Sequence, residues 1–300
     1  MIESWQYQIK QKNKKKDLIE TINYFSFPRD FFNPAINISK EELCGLVVND
    51  FDFNYEEKRH CYEEIKEFIN KHEWLGKMSP HPTHIFTARY KGLLCGVVVM
   101  DMPNAFSKML GKGTKNIERL ISRGACISFS PKNLASTLIM FAVRWMVSNT
   151  DYRLFTCYAD PKANELGTIY QACNFFYLGD SFGTNYQYKI ENGNWVSDRY
   201  FRRRSVYKRV AKKNGIVWNP RWQGDDEAGN KILFDKMPIE IALKIKTLAK
   251  QYMERCESKK VPSKHKYAYI LGNSKKETKQ LKSKFLSLNK IYPYPKIRGI

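Results

Sequence analysis

The fold of this chain is decided by the stretch Tyr158-Ala-Asp-Pro-Lys-Ala-Asn-Glu-Leu-Gly167-Thr-Ile-Tyr170-Gln-Ala-Cys-Asn174-Phe-Phe-Tyr177-Leu-Gly179. The apolar run that ends at Tyr158 predicts a buried strand, and the Ala-Asp-Pro that follows it predicts a loop. Gly167 then opens a short amphipathic run that carries Tyr170, and the aromatic run that ends on Gly179 predicts another strand. A strand, a loop, a short helix and a strand in so few residues favour an α/β domain in which the helix presents its tyrosine to a ligand cleft.

The elements around this stretch continue the same alternation. Upstream, residues 55–72 carry apolar side chains at helical spacing, and two β-rich runs meet at a Lys-Gly turn. Residues 137–147 form an apolar run that is long enough to be a helix rather than a strand. Downstream, Asn192-Gly193 is the turn signal of a hairpin. The predicted order through residue 195 is helix, three strands, helix, strand, helix and two strands, which is a mixed α/β sheet with crossover helices.

The composition changes near residue 195, and this change sets the predicted domain boundaries. We expect a basic N-terminal arm at 1–49, the α/β domain at 50–195 and a basic extension at 196–300. The extension begins with cations interleaved with aromatic residues, a combination that suits nucleic acid because cations neutralise phosphates and rings stack on bases. Its candidate DNA contacts are Arg199, Arg202, Arg203, Arg204, Lys208 and Arg209.

The whole chain is strongly basic, with 51 Lys and Arg against 30 Asp and Glu and a formal net charge of +21. An excess of this size favours a polyanionic partner, and we expect that partner to be double-stranded DNA. The alternative is a Lys-rich surface that only keeps the protein dissolved.

The cysteines and the apolar runs indicate the cellular compartment of the protein. Seven cysteines are scattered without a CxxC pair, which is typical of reduced thiols rather than of disulfides or a zinc site. The N-terminus has no apolar signal region, and no apolar run is long enough to span a membrane. The sequence therefore predicts a cytoplasmic protein with no membrane partner, and it leaves the oligomeric state open.

The order of elements is typical of the acyl-CoA-binding acetyltransferase fold, which needs three features. A helix N-terminus must hold the pyrophosphate, two strands must splay to admit the pantetheine, and a donor must protonate the departing thiolate. Strands 125–129 and 154–158 are the predicted splayed pair, and Tyr170 is the candidate donor unless it is a plain core tyrosine. The usual glycine-rich pyrophosphate loop is absent. The candidate cofactor contacts in its place are Ser130, Lys132, Asn133 and Ser136, unless this loop is an ordinary crossover capped by Ser136.

A family resemblance sharpens this interpretation. The order Ser122-Arg123, Ser130-Pro-Lys-Asn133, Tyr158-Ala-Asp160-Pro161 and Gly167-x-Ile-Tyr170-Gln-Ala resembles the Mom family of phage DNA-modification proteins, divergent relatives of the GCN5-type acetyltransferases. The resemblance spans roughly residues 70–190. The segments Glu73-Trp-Leu-Gly76, Lys264-His-Lys-Tyr267 and Tyr292-Pro-Tyr-Pro-Lys296 are similar to that family more loosely.

The resemblance implies that adenine in DNA is modified at N6 with a carbamoylmethyl group, which protects phage DNA from host restriction in the bacterial cytoplasm. By position, it implies functional roles for Ser122, Arg123, Ser130, Asp160 and Tyr170. Arg123 could hold a phosphate with two parallel hydrogen bonds. Asp160, at the carboxyl end of its strand, could act as a base or accept a bond from the adenine amine. A loop-initiating Asp before proline is the equally open alternative.

The implied product raises a chemical difficulty. Aminolysis of a thioester joins nitrogen to the carbonyl carbon, whereas a carbamoylmethyl group is joined through its methylene carbon. Either the acyl group is activated at its α carbon or the donor is not acetyl-CoA. A redox metal such as iron would help, and His81 and His84 with a nearby Tyr90 or Asp101 are the candidate ligands.

Two other functions fit the same sequence. One is an ordinary acyl-CoA-dependent N-acetyltransferase that acts on RNA or protein, which would use simple acyl chemistry. The other is a nucleic-acid-binding protein on a transferase scaffold that has lost catalysis, for which the missing glycine-rich loop is the best support. The carbon through which the group is joined to nitrogen distinguishes the N-acetyltransferase from a Mom-like enzyme. Binding of CoA distinguishes a Mom-like enzyme from the nucleic-acid-binding protein that has lost catalysis.

Overall fold

The computed structural model describes residues 3–28, 34–79, 81–103, 108–180, 185–224 and 231–297. The chain divides into two compact units, the first made of Met1–Ser181 with Lys264–Ile300 and the second of Phe182–Ser263. This division differs from the predicted boundaries at 49/50 and 195/196. Within the described ranges, no helix combines the length and the apolar character that crossing a bilayer requires.

The helices and strands of the described residues are numbered in chain order. The helices are α1 (Trp5–Ser26), α2 (Lys40–Gly45), α3 (Lys58–His72), α4 (Leu134–Asn149), α5 (Thr168–Ala172), α6 (Arg204–Lys213), α7 (Ile239–Glu254) and α8 (Lys275–Leu288). The strands are β1 (Asp52–Glu56), β2 (Pro82–Tyr90), β3 (Leu93–Asp101), β4 (Glu118–Cys126), β5 (Leu154–Ala159), β6 (Phe176–Asp180), β7 (Asn185–Lys189), β8 (Trp195–Ser197), β9 (Glu257–Val261) and β10 (His265–Ile270).

The first unit is built on a seven-stranded sheet in the order β1-β2-β3-β4-β5-β10-β6. Every neighbouring pair is antiparallel except β4 and β5, which run parallel because α4 crosses over between them. The mixed α/β fold with crossover helices is therefore confirmed.

Strand β10 explains why the basic extension is not one piece. It lies between β5 and β6 and pairs with both, and its Tyr267, Ala268 and Ile270 are fully buried. The tail from 264 onward thus completes the first sheet. The predicted extension from 196 to 300 is therefore divided between the two units, a division that composition could not indicate because it reports the charge of a segment but not the strand that it pairs with.

The basic N-terminal arm is largely a helix. Ser4 caps α1 by accepting a hydrogen bond from the Tyr7 N–H, and α1 buries Leu18 and Phe25 in the main core. The Lys-rich run hides the helical pattern, since few of its positions are apolar. The segment is therefore packed structure rather than an arm.

The second unit combines the sheet β8-β7-β9 with α6 and α7. The predicted hairpin joins β7 and β8, and Gly193 takes the positive φ of 82° that its turn requires. Residues Val206, Val210, Ile245 and Ala249 form the centre of its core.

Candidate active site

The parallel strands β4 and β5 separate halfway along their length. They pair from Glu118 with Leu154 to Leu120 with Thr156, and no further. Beyond that point β4 stays on β3 as far as Cys126, and β5 stays on β10 as far as Ala159. The two strands therefore leave a wedge between them, open towards their carboxyl ends. This is the predicted splayed pair, although the strand expected at 125–129 is in fact Glu118–Cys126.

A bulge in β4 presents Ser122 and Arg123 beside this wedge. Val99 pairs with Arg123 and Met100 with Ile121, so Ser122 is the extra residue. The Ser122 hydroxyl donates to the Val99 carbonyl at 3.2 Å. The Arg123 guanidinium donates to the carbonyls of Lys77 at 2.8 Å and Ser122 at 2.6 Å, so part of its predicted phosphate-binding capacity is already used.

Tyr170 lies on α5 with its hydroxyl buried. Its ring contacts those of Phe175 and Tyr267, each with a centroid distance of 5.6 Å. Gly167 caps α5 at a positive φ of 68°, and a Cβ there would come within 2.5 Å of the Tyr267 ring. Burial, followed by the charges of Cys157, Glu165 and Glu73, raises the Tyr170 pKa well above its ordinary value. The phenol therefore stays protonated at neutral pH.

Glu73 is a buried carboxyl group to which the sequence gave no role. It is 8% exposed, and its side chain accepts the Leu75 N–H at 3.1 Å. Burial raises its pKa to about 7, against the opposing effect of the Arg123 cation. The sequence pointed to Glu73 through the loose similarity of Glu73-Trp-Leu-Gly76 to the Mom family. Burial of the carboxyl group could not be read from that motif.

Asp160 has a structural task in the fold. Its carboxylate accepts the Lys162 N–H at 3.0 Å and so caps a single 3₁₀ turn. Its other oxygen lies 3.4 Å from the Lys264 ammonium. These contacts match the alternative of a loop-initiating Asp, and a catalytic role for Asp160 stays a prediction.

The loop between β4 and α4 differs in detail from the expected cofactor loop. Helix α4 begins at Leu134, and Asn133 is its N-cap, in the left-handed conformation at φ 69° and without a side-chain cap bond. Ser136 does not cap the helix, which was the alternative to its predicted cofactor contact, because it lies within the first turn and its hydroxyl donates to the Asn133 carbonyl. Lys132 is exposed beside this turn.

A lysine from α1 reaches this loop, and sequence reasoning missed it. The Lys10 ammonium donates to the Ser130 hydroxyl at 3.1 Å, and burial lowers its pKa. Asp17 fixes α1 there by accepting the Ser128 N–H at 3.2 Å. The run Lys10 to Lys16 was interpreted as part of a basic arm, and nothing in the sequence indicated that Lys10 lies against this loop.

The predicted histidine metal site is not assembled. His84 lies among the rings of Tyr55, Trp145 and Tyr152, where burial lowers its pKa to about 4. His81 is exposed at the start of β2. Across the described ranges, no three His, Cys, Asp or Glu side chains group as metal ligands would. Proximity in sequence misled here, because residues three apart on an extended chain point to opposite sides.

The predicted DNA contacts in the second unit fall into two sets. Arg199, Arg202 and Arg203 are exposed, and Arg202 pairs with Asp198 at 2.7 Å. The other three are half-buried and hold the unit together through internal bonds. Arg204 donates to the Gly224 carbonyl at 3.0 Å, Lys208 to Gln223 at 3.0 Å and Arg209 to the Tyr200 hydroxyl at 3.4 Å.

The mixed sheet with one diverging parallel pair, and with a tyrosine-bearing helix beside it, defines an acetyltransferase-like α/β protein. The sequence profile of the Mom protein family matches residues 58–296, so the chain belongs to that family. The predicted resemblance is thereby confirmed, over a longer range than residues 70–190. No protein with a curated description matches the chain.

Three solved structures illustrate the likeness of the fold. An N-acetyltransferase from Staphylococcus aureus Mu50 is 13% identical with a TM-score of 0.32, covering 48% of this chain and 92% of that one. A GNAT family acetyltransferase from Elizabethkingia anophelis with acetyl-CoA bound is 9% identical with a TM-score of 0.32, covering 74% and 99%. An acetyltransferase from Bacillus subtilis in complex with CoA is 9% identical with a TM-score of 0.32, covering 74% and 97%. These TM-scores are too low to carry an argument about function.

Proposed function

We propose that this protein transfers a carbamoylmethyl-type group to the N6 amino group of adenine in DNA and thereby protects phage DNA from host restriction. The observation that carries the proposal is membership of the Mom family over residues 58–296, a range that includes the diverging strands and the basic second unit. The net charge of +21 supports a polyanionic substrate.

We expect acetyl-CoA or a related acyl-CoA to bind between β4 and β5, with its phosphates at the start of α4. The residues present fit an anion. The Leu134 N–H donates to the Pro131 carbonyl at 3.4 Å, and the side chain of Asn133 does not cap α4, so the next N–H groups of the first turn are the ones suited to an anion. Lys10 points its ammonium at Ser130, and no carboxylate pairs with it in the described part of the chain. When bound, the acyl-CoA would supply the two-carbon unit. A thioester activates its carbonyl carbon towards a nucleophile, so bonding of N6 to the methylene carbon would also need an oxidant for the C–H bond that breaks.

The residues of the wedge have complementary tasks in such a transfer. Tyr170 keeps its proton and is the donor to the departing group. Arg123 places a fixed positive charge beside β4, where negative charge develops. Ser122, on the bulge, orients this part of the strand through its bond to Val99.

Access to adenine N6 requires that the base leave the duplex stack, or that the strand be single. The exposed Arg199, Arg202 and Arg203 are suited to hold the phosphates during that step. Their contribution would be independent of DNA sequence, because phosphate contacts position the protein without reading bases.

The test is nucleoside mass spectrometry of DNA from cells that express the protein. We expect a new adenine nucleoside of the carbamoylmethyl mass, lost in Tyr170→Phe and kept in Tyr62→Phe. Tyr62 is a half-buried tyrosine of α3 and serves as the matched control. Unmodified DNA from cells with abundant folded protein would refute the proposal.

A second candidate is an acyl-CoA-dependent N-acetyltransferase that acts on RNA or protein. The diverging strands favour it, since they suit a thioester and ordinary aminolysis needs no α-carbon activation. Mass spectrometry of RNA and protein from the same cells separates the two functions. Acetyl amides there, with unmodified DNA, would support this candidate.

A further inference from the structure

Tyr158 is an exposed ring in a strand that is otherwise buried. The other five residues of β5 are at most 5% exposed, whereas Tyr158 is 40% exposed. It lies two residues beyond Thr156, the last residue at which β5 pairs with β4. The ring therefore stands at the edge of the wedge and is open to solvent.

The strand register shows which face of the sheet carries this ring. Side chains alternate along a strand, so Tyr158 shares a face with Thr156, two residues before it. The Thr156 hydroxyl donates to the Glu118 carboxylate of β4 at 3.2 Å, so Glu118 is on that face as well. Leu120, two residues after Glu118, follows on the same side of β4.

The bulge at Ser122 brings Arg123 to this face too. Leu120 pairs with Asp101 of β3 and Arg123 pairs with Val99. Asp101 and Val99 are two residues apart and share a face, and direct partners across a sheet share a face, so Arg123 lies on the side of Leu120. Without the extra residue of the bulge, Arg123 would point to the opposite face. The two diverging strands therefore present an arginine and an exposed tyrosine on one side.

Helix α4 lies on the other side of the sheet. Phe86 of β2 packs against Trp145 of α4 with a centroid distance of 5.4 Å, and it pairs with Val98 of β3. Val98 is the neighbour of Val99, and neighbours point to opposite faces, so α4 covers the face away from Tyr158. A cofactor held at the start of α4 and a base held on Tyr158 would approach the wedge from opposite sides.

A lysine of β10 lies directly beside the exposed ring. Lys266 and Tyr158 are partners across the two strands, and the Lys266 ammonium is 5.9 Å from the centroid of the Tyr158 ring. The next residue of β10, Tyr267, points to the opposite face and is fully buried. An accessible ring beside a cation is the combination that binds a nucleotide, since the ring stacks on the base and the cation meets the phosphate.

We propose that the extruded adenine stacks on the Tyr158 ring and that Lys266 contacts the phosphate of the same nucleotide; this rests on the proposed function. Tyr170 is not suited to be the platform, because its ring is packed against Phe175 and Tyr267. Every base has a flat face that can stack, so Tyr158 fixes the position of the extruded base and not its identity. The stacked base lies at the wedge between the diverging strands.

The test is the binding of two short single strands to the full-length protein, measured by the fluorescence anisotropy of a terminal dye. Both strands have about five nucleotides, the smallest length that such sites bind. One carries a central adenine between abasic positions, and the other is abasic throughout. The wild type should bind the adenine strand about 5- to 150-fold more tightly than the abasic strand, which is the range expected for one stacked base.

Substitutions at Tyr158 separate stacking from a general loss of binding. Tyr158→Leu should remove most of the preference for adenine because it removes the ring, whereas Tyr158→Phe should keep it. Tyr186→Leu is the matched control, since Tyr186 of the second unit is 44% exposed, and it should also keep the preference. Lys266→Met should weaken the binding of both strands by the same factor, because a phosphate contact does not read the base.

Each part of the proposal can fail by itself. A wild type without a preference for adenine, or a preference that Tyr158→Leu leaves unchanged, would overturn the platform. If Tyr158→Leu does not fold, loss of the preference in Tyr158→Phe would also overturn it, since the ring is still present. Unchanged affinities in Lys266→Met would remove the phosphate contact. Nucleoside mass spectrometry of the wild type decides the proposed function separately, so a protein that binds adenine through Tyr158 but never modifies DNA would overturn only that function.

Discussion

Replacing Glu73 by glutamine should stabilise the protein at neutral and higher pH. The folded-state pKa of about 7 lies above the ordinary 4.5, so folding favours the protonated acid. Stability from this group is fully present below pH 4.5, and it is lost as the pH rises through about 7. Above that pH, ionised Glu73 costs roughly 3 kcal/mol relative to a neutral group, at about 1.4 kcal/mol per pH unit. Glutamine has no charge to bury, and its carbonyl can still accept the Leu75 N–H.

The assay is thermal unfolding of the wild type and Glu73→Gln at about pH 8 and about pH 5. At the higher pH the variant should melt roughly 6–12 °C above the wild type, since about 1 kcal/mol shifts the midpoint of a domain of this size by about 2–4 °C. At the lower pH the gap should shrink to less than about a third, because Glu73 is then protonated in the folded state and the pH lies only about half a unit above its ordinary pKa of 4.5. The buried His72 and His84, whose pKa values are lowered to about 4, affect both proteins equally and cancel in the difference.

The sign of the difference tests the reasoning. A carboxylate that holds the fold together through hydrogen bonds would make Glu73→Gln less stable at both pH values. A variant that is destabilised at pH 8, or a stability gap that does not change with pH, would refute the claim that Glu73 is buried at an energetic cost. The buried Glu118→Gln provides the comparison, because the Glu118 charge favours the ionised form of the half-buried Lys266, and removal of that charge should lose rather than gain stability.

Three further outcomes are expected. Tyr170→Phe keeps the ring contacts with Phe175 and Tyr267, so its melting temperature should stay within a few degrees while DNA modification falls about 10²-fold or more; an active variant would remove the donor role. Lys10→Met should weaken acetyl-CoA binding, measured by calorimetry, about tenfold, whereas Lys12→Met on the exposed side of α1 should not. Equal affinities of the two variants for acetyl-CoA would show that Lys10 does not contact the phosphates. Replacing Arg199, Arg202 and Arg203 together by alanine should reduce the salt dependence of DNA binding by about three phosphate contacts. Arg204→Ala should instead mainly destabilise the second unit, because the Gly224 carbonyl loses its hydrogen bond. An unchanged salt dependence in the triple variant would contradict the prediction that these three arginines contact phosphates.

The sequence predicted the parts of the fold that depend on local patterns. The run around Tyr158, Gly167 and Tyr170 gave the correct strand, helix and strand, because each boundary is marked by a proline, a glycine or an aromatic run. The hairpin at Asn192-Gly193 was likewise correct. These signals act within a few residues, so a single sequence is enough to read them.

Features that depend on distant pairing could not be predicted. The segment that buries Glu73 is held by Gln6 of α1, which bonds to His72 and Trp74, and by Arg123 of β4, which bonds to the Lys77 carbonyl. Lys10 reaches Ser130 across 120 residues of sequence. The six predicted DNA contacts are alike in sequence. Their hydrogen bonds within the second unit, which the sequence does not show, distinguish the three exposed arginines from the three cations that stabilise the unit.

The position of the second unit in the chain follows from the pairing of β6 with β10. Asp180 and His265 are direct partners across these strands, so the chain leaves and re-enters the first unit at adjacent points. An insertion between adjacent residues leaves the sheet hydrogen bonds intact, which explains how the fold accommodates a basic unit there. His265 also pairs with Ala159, the last residue of β5 and the neighbour of Asp160. The chain therefore leaves and re-enters the first unit at the edge of the sheet where the wedge opens.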